Sequence, residues 1–237
     1  VNDILTPFWT RPLCALDTET TGVDSFNDRI VTCSMIYDDG RGNQTERDWL
    51  INPGVEIPTG ASDVHGITNE VAQRDGMEPQ KGIYEIATSL YQMVSAGVPL
   101  VVYNAPFDLT LLIAEFRRWG IGWDPVFNKV IDPLVIDKAV DKYRKGSRKL
   151  IDTAKHYGYD LTNAHAADAD NKAAIHIARH IFPAHFTPDT TLEEVHQLQI
   201  GWKAAQARSF QAYLRKEKDP EAVINQEWPV MTTQENR

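Results

Sequence analysis

Long apolar runs are missing from this sequence. No stretch approaches the roughly 18 to 20 uninterrupted apolar residues that a membrane span requires, and the N-terminus lacks the basic-then-apolar order of a secretory signal. The expectation is a soluble, cytoplasmic protein that engages no membrane. Cysteine is almost absent as well: Cys14 and Cys33 lie in apolar, strand-like runs and form no CxxC or Cys/His cluster of the kind that holds zinc. Buried, reduced thiols are the reading. Positive charge is in deficit, with 24 Lys and Arg against 33 Asp and Glu and a formal net charge of -9. That balance argues against a protein that coats nucleic acid, because affinity for phosphate backbones comes largely from clustered cations. It leaves room for an enzyme that engages one end of a strand.

At 237 residues and 42% hydrophobic content, one packed domain with some extension is expected. Residues 13–16 read as a buried strand opening into Asp17-Thr18-Glu19-Thr20-Thr21-Gly22, followed by strands over 30–37 and 45–51 in an antiparallel meander. After a Pro- and Gly-punctuated segment, Ile83, Ile86, Ala87, Leu90 and Val94 recur at helical spacing. Strand and helix then alternate. A strand over 100–103 runs into a helix that starts at Asn104-Ala105-Pro106, with Asn as cap and Pro in the first turn, and continues to about Trp119. A fifth strand over 126–131 meets a second cap-plus-proline start at Asp132-Pro133, and further helices follow over 150–157 and 164–181. This pattern predicts an α/β fold, one mixed five-stranded sheet flanked by helices.

A capping box, Thr191 to Glu194, opens a C-terminal helical extension with Leu192, Val195, Leu198, Trp202 and Ala205 on one face. The division expected is 1–186 for the main domain and 187–237 for the extension, with a loose tail after about Asp219. The long helix either packs on its own domain or docks on a partner, and the first is favoured because any covering helix shows such a face.

Asp17 and Glu19, two apart at a strand end, have side chains on the same side of the sheet and can bracket a cation. Alone, such a pair is an ordinary polar strand end. Asp108 adds to it, since it shares a helical face with Leu111, Leu112, Phe116 and Trp119, and Asp170 does the same with Ala174, Ile177, Ala178 and Ile181. An ionised carboxylate on a core-facing stripe is costly unless paired or bound to metal. Four carboxylates converging repel by several kcal/mol per neighbouring pair, at about 5 Å and an effective dielectric of about 20. Cations must resolve that, and oxygen-only ligands select hard ions, Mg²⁺ or Mn²⁺. Two such ions suit phosphodiester hydrolysis. His165, five residues before Asp170, has the imidazole pKa of about 6.5 that suits a general base.

Taken together, Asp17-Thr18-Glu19-Thr20-Thr21-Gly22, Val64-His65-Gly66-Ile67, Asn104-Ala105-Pro106-Phe107-Asp108 and His165-x4-Asp170 resemble the successive motifs of the DEDDh 3′ to 5′ exonucleases, over roughly residues 10 to 182. The proofreading epsilon subunits of bacterial DNA polymerase III are similar. The resemblance implies a ribonuclease H-like fold, with Asp17, Glu19, Asp108 and Asp170 as ligands of two Mg²⁺ or Mn²⁺ ions and His165 as base. It also places Thr18, Thr20, His65, Asn104 and Phe107 around the terminal nucleotide. The implied partner is nucleic acid with a free 3′ end, single-stranded or frayed DNA first and RNA as the alternative, with a DNA polymerase as a further partner. One departure is Asn171 after the last aspartate, where the family usually has Ala; Asp168, an extra acid, reads as a solvated helix-start residue. The basic stretch Lys142, Arg144, Lys145, Arg148 and Lys149 reads equally as a solvated loop or as a phosphate contact.

Overall fold

The computed structural model describes residues 6–161 and 166–232. Strands β1 (Leu13–Thr20), β2 (Ile30–Asp38) and β3 (Gln44–Leu50) form the expected meander, and β4 (Leu100–Val101) and β5 (Val130–Ile131) complete a sheet of order β3-β2-β1-β4-β5. The β1–β2 and β2–β3 pairs are antiparallel, whereas β1–β4 and β4–β5 are parallel. Alternation along β1 divides the core. Cys14 and Leu16 pack with Ile86 and Leu90 of α3 (Pro79–Ser95) and Leu112 and Phe116 of α4 (Ala105–Arg118). Leu13 and Ala15 pack on the opposite face with Ala178, Ile181 and Phe182 of α7 (Ala167–His185). Both thiols, Cys14 and Cys33, are buried and free.

The chain departs from expectation at several points. The segment between β3 and α3 carries two short helices, α1 (Thr59–His65) and α2 (Asn69–Asp75), the first ended by Gly66 at φ 77°. The strand expected over 126–131 is only β5, and Val126 is exposed. The strand expected over 100–103 stops at Val101, because the backbone bends toward Asn104, which lies at φ 68°. Asn104 was expected to cap α4 with its side chain but makes no such bond. The Asp132 carboxylate takes over, accepting the N–H groups of Asn104 and Ala105 at 3.0 Å each. Asp132 also caps its own helix, α5 (Pro133–Val140), as the sequence predicts. The helix α6 (Leu150–His156) follows.

The capping box at Thr191 opens α8 (Leu192–Glu217), but the buried stripe differs from the expected one. Leu198 and Ala205 are exposed, while His196 and Gln199 are buried. The cause is the edge of the sheet, whose main-chain groups need partners. Gln199 donates to the Val130 carbonyl and accepts from the Asp132 N–H, and His196 Nδ1 accepts from the Val130 N–H. The tail after Asp219, expected to be loose, also packs: Ala222, Asn225 and Trp228 are buried, and Trp228 joins the core shared by β1, α3 and α4. No helix among the described residues is long and apolar enough to cross a membrane.

Candidate active site

The acids gather where β1 ends. Asp17 and Glu19 continue the alternation of Leu13 and Ala15, so they project toward α7, whose first turn carries Asp170. Carboxylate oxygens of Asp17, Glu19 and Asp170 all lie within 4.8 Å of one another. Asp108, in the first turn of α4, is 3% exposed, and its Oδ1 accepts both the Thr18 N–H at 3.1 Å and the Thr18 hydroxyl at 2.6 Å. Thr18 thus ties the fourth acid to the strand that carries two of the others.

Electrostatics report the same convergence. Burial, then the charges of Asp108, Asp170 and Glu19, push Asp17 well above the usual carboxylate range. Burial, then Asp170 and Asp108, push Glu19 up to about 8. Asp108 is raised by burial against the lowering effect of its bonds to Thr18. Such a cluster holds protons at neutral pH unless cations replace them. Its all-oxygen donor set fits a hard divalent ion.

Around the acids, the structure places the other sequence-predicted residues as follows. His65 closes α1 with Nδ1 accepting the Ile67 N–H at 3.1 Å, and burial lowers its pKa while a main-chain bond to Thr20 opposes that. The Thr20 hydroxyl donates to the Gly22 carbonyl. Asn104 is exposed, and Phe107 is half-buried against the core beneath α4. His165 lies outside the described residues. Asp168 pairs with Lys172 at 3.4 Å and is not among the three acids whose oxygens lie within 4.8 Å of one another. Asn171 is 1% exposed and donates from Nδ2 to the Ser34 carbonyl at 2.9 Å.

The basic stretch divides in two. Arg144 and Arg148 both turn inward onto Asp137, which is fully buried and also accepts from the Tyr157 hydroxyl at 3.2 Å. Their reading as free phosphate contacts is therefore corrected: a buried carboxylate needs a compensating cation, and these two provide it. Lys142, Lys145 and Lys149 remain exposed, next to the exposed Tyr143. Sequence reasoning also missed the wider role of Asp132. The Asp-Pro start marked it as a cap, but its bonds to residues 104 and 105 arise only once β4 and β5 lie side by side.

A mixed sheet in this order, flanked by helices and bearing an acid cluster at the end of β1, is the fold of the ribonuclease H-like exonucleases. The RNase_T family, described as exonuclease, matches residues 14–178, and the chain belongs to it, as a 3′ to 5′ exonuclease of the DEDD type. The family is divalent-metal dependent. Among curated proteins the chain is 27% identical over 164 residues to the DNA polymerase III subunit epsilon of Treponema pallidum, covering 69% of this chain and 73% of that one. It is 32% identical over 138 residues to a DNA polymerase III subunit epsilon-like protein of Rhodobacter capsulatus, covering 57% of this chain but 18% of the relative. Among solved structures, E. coli exonuclease I in complex with a dA16 oligonucleotide superposes with a TM-score of 0.61 at 24% identity, over 72% of this chain and 40% of that one. That likeness is one of fold.

Proposed function

We propose that this exonuclease shortens single-stranded or frayed DNA from the 3′ end, releasing nucleoside monophosphates, with Asp17, Glu19, Asp108 and Asp170 holding two Mg²⁺ or Mn²⁺ ions. The observation that carries the reading is the convergence of Asp17, Glu19 and Asp170 within 4.8 Å, beside a buried Asp108. Ions bound there would supply positive charge to the attacking and leaving oxygens of an in-line displacement. The chain's own groups do the rest. His165 takes a proton from the attacking water, the new bond forms at phosphorus, and the bond to the 3′ oxygen of the preceding nucleotide breaks. Thr18 acts through Asp108, to which its hydroxyl and N–H are both committed. Thr20, His65, Asn104 and Phe107 line the pocket for the terminal nucleotide.

DNA is favoured as substrate because the epsilon relatives are named as DNA polymerase III subunits and exonuclease I is solved with a deoxyoligonucleotide. Those names also bring in a DNA polymerase as partner. RNA is the competing substrate, since discrimination depends on contacts to the 2′ position. Two free, buried thiols fit a reducing, cytoplasmic setting. The division into 1–186 and 187–237 follows the reach of the catalytic motifs. The test is a degradation ladder on labelled single-stranded, duplex and mismatched DNA and on RNA, with Mg²⁺, Mn²⁺ or a chelator. Stepwise loss from the 3′ end of single-stranded DNA, abolished by the chelator, is expected. Faster loss from RNA would overturn the substrate assignment.

A further inference from the structure

The tail of the chain bonds to α4, the helix that carries Asp108, and to Asp132, which supports the start of that helix. Trp228 Nε1 donates to Asp132 Oδ2 at 3.3 Å, and the Met231 N–H donates to Thr110 Oγ1 at 2.9 Å. These two contacts flank Asp108 in sequence, one acting on the support of residues 104 and 105 and the other on residue 110. Asp132 is the hub. It is fully buried, and besides Trp228 it accepts the N–H groups of Asn104, Ala105, Leu134 and Val135. Its own N–H is held by Gln199, and Lys203 supplies a nearby positive charge, both from α8.

Asn104 gives the arrangement its meaning. Among the described residues it is the one non-glycine residue with positive φ, at 68°. A left-handed conformation is disfavoured for a non-glycine residue and persists where its surroundings hold it. Its side chain makes no capping bond, so the hold comes from the Asp132 carboxylate. That carboxylate is in turn oriented by groups from beyond residue 190. The buried Trp228 ring, packed at 4.8 Å between centroids against His196, brings the tail to this point.

We propose that the segment from Gln199 to Met231 is a strap that fixes the left-handed turn at Asn104, and through it the placement of Phe107 and Asp108, with Trp228 as a positioning residue for the reaction. The inference rests on the exonuclease reading above for its catalytic consequence, but its structural half stands apart. Removing the strap bonds should let the turn relax, and misplacement of a positioned group by about 1 Å costs on the order of 10²-fold in rate.

The test is the full chain carrying Trp228→Phe together with Thr110→Val, which keeps an aromatic ring at 228 and the side-chain shape at 110 and removes both bonds. Hydrogen exchange of the Asn104 and Ala105 amides should accelerate in this variant, and kcat, measured well below the melting temperature, should fall by about tenfold or more. Trp228→Phe alone, read the same way, serves if the double variant does not fold. A lower melting temperature with unchanged exchange at residues 104 and 105 and unchanged kcat would make the tail ordinary packing and overturn the proposal. If the unmodified protein shortened no labelled end, the exonuclease reading would fail, while the exchange data would still decide whether the strap holds the turn.

Discussion

Asn171 and Ser34 join the two walls of the acid cluster. Asn171 follows Asp170 on α7, Ser34 lies opposite Asp17 in the β1–β2 ladder, and the Asn171 amide donates to the Ser34 carbonyl. The spacing between Asp170 and Asp17 is thereby tied to a buried hydrogen bond. Asn171→Ala should destabilise the protein by about 1 to 3 kcal/mol. Asn171→Asp should be worse, since it replaces the donor with a fifth carboxylate beside four. Chemical denaturation of both variants, with divalent-ion titration by calorimetry, checks this; equal stability of all three forms would refute it.

The raised pKa values of the acids make ion-free stability depend on pH with a definite sign. A carboxylate whose folded pKa lies above its unfolded value stabilises the fold while protonated, fully so below the unfolded pKa. That stabilisation is lost as pH rises through the folded pKa. For Glu19 the interval runs from 4.5 to about 8. Melting temperature of the chelated protein should therefore fall as pH rises from 4.5 to about 8, and saturating Mg²⁺ should flatten the slope. Alanine at Asp17, Glu19, Asp108 or Asp170 should reduce hydrolysis at least about 10²-fold; at Asp17 and Glu19 it should also raise ion-free stability by relief of repulsion, whereas at Asp108 that gain is offset by the two Thr18 donors left unpaired. Asp168→Ala should stay active, because Asp168 faces Lys172. A slope indifferent to both Mg²⁺ and these substitutions would remove the basis for the ion site.

His165 is expected to move a proton rather than hold charge. His165→Ala should lower the rate about 10² to 10⁴-fold with ion binding and substrate affinity nearly unchanged. The acidic limb of the pH-rate profile should disappear in that variant. Its persistence would assign the base elsewhere.

The division within the basic stretch separates stability from binding. Neutralising Lys142, Lys145 and Lys149 should leave melting unchanged and flatten the salt dependence of oligonucleotide binding, because fewer counterions are released. Arg148→Met should instead destabilise, because it strips a partner from the fully buried Asp137. If the lysine variant kept the original salt slope, the loop would have no part in binding.

Periodicity made the meander, α3, α7 and the acids legible, because a strand shows its faces every two residues and a helix every three to four. Asp108 and Asp170 stood out because each broke an apolar stripe. Legibility failed where a residue answers to something distant in sequence. Gln199 gave no signal in the sequence because its partners, Val130 and Asp132, are main-chain groups about 70 positions earlier. Arg144 and Arg148 looked like solvent-facing cations because the burial of Asp137 was not visible from its neighbours. The left-handed turn at Asn104 had no local signal at all, since an Asn before Ala-Pro reads as a cap.

Gln199 has a consequence for how the molecule meets others. Its amide presents one donor and one acceptor to β5, the same pair an adjoining strand would present, so the side chain imitates a neighbour and closes that margin to any incoming chain. The opposite margin, β3, is where an extended segment from another molecule would have to add. There Glu46, Arg47 and Asp48 stand exposed in succession, so an apolar segment laid alongside would meet charge at each of these positions. The sheet is thus terminated by mimicry on one side and by charge on the other, which keeps a five-stranded core from seeding a larger one.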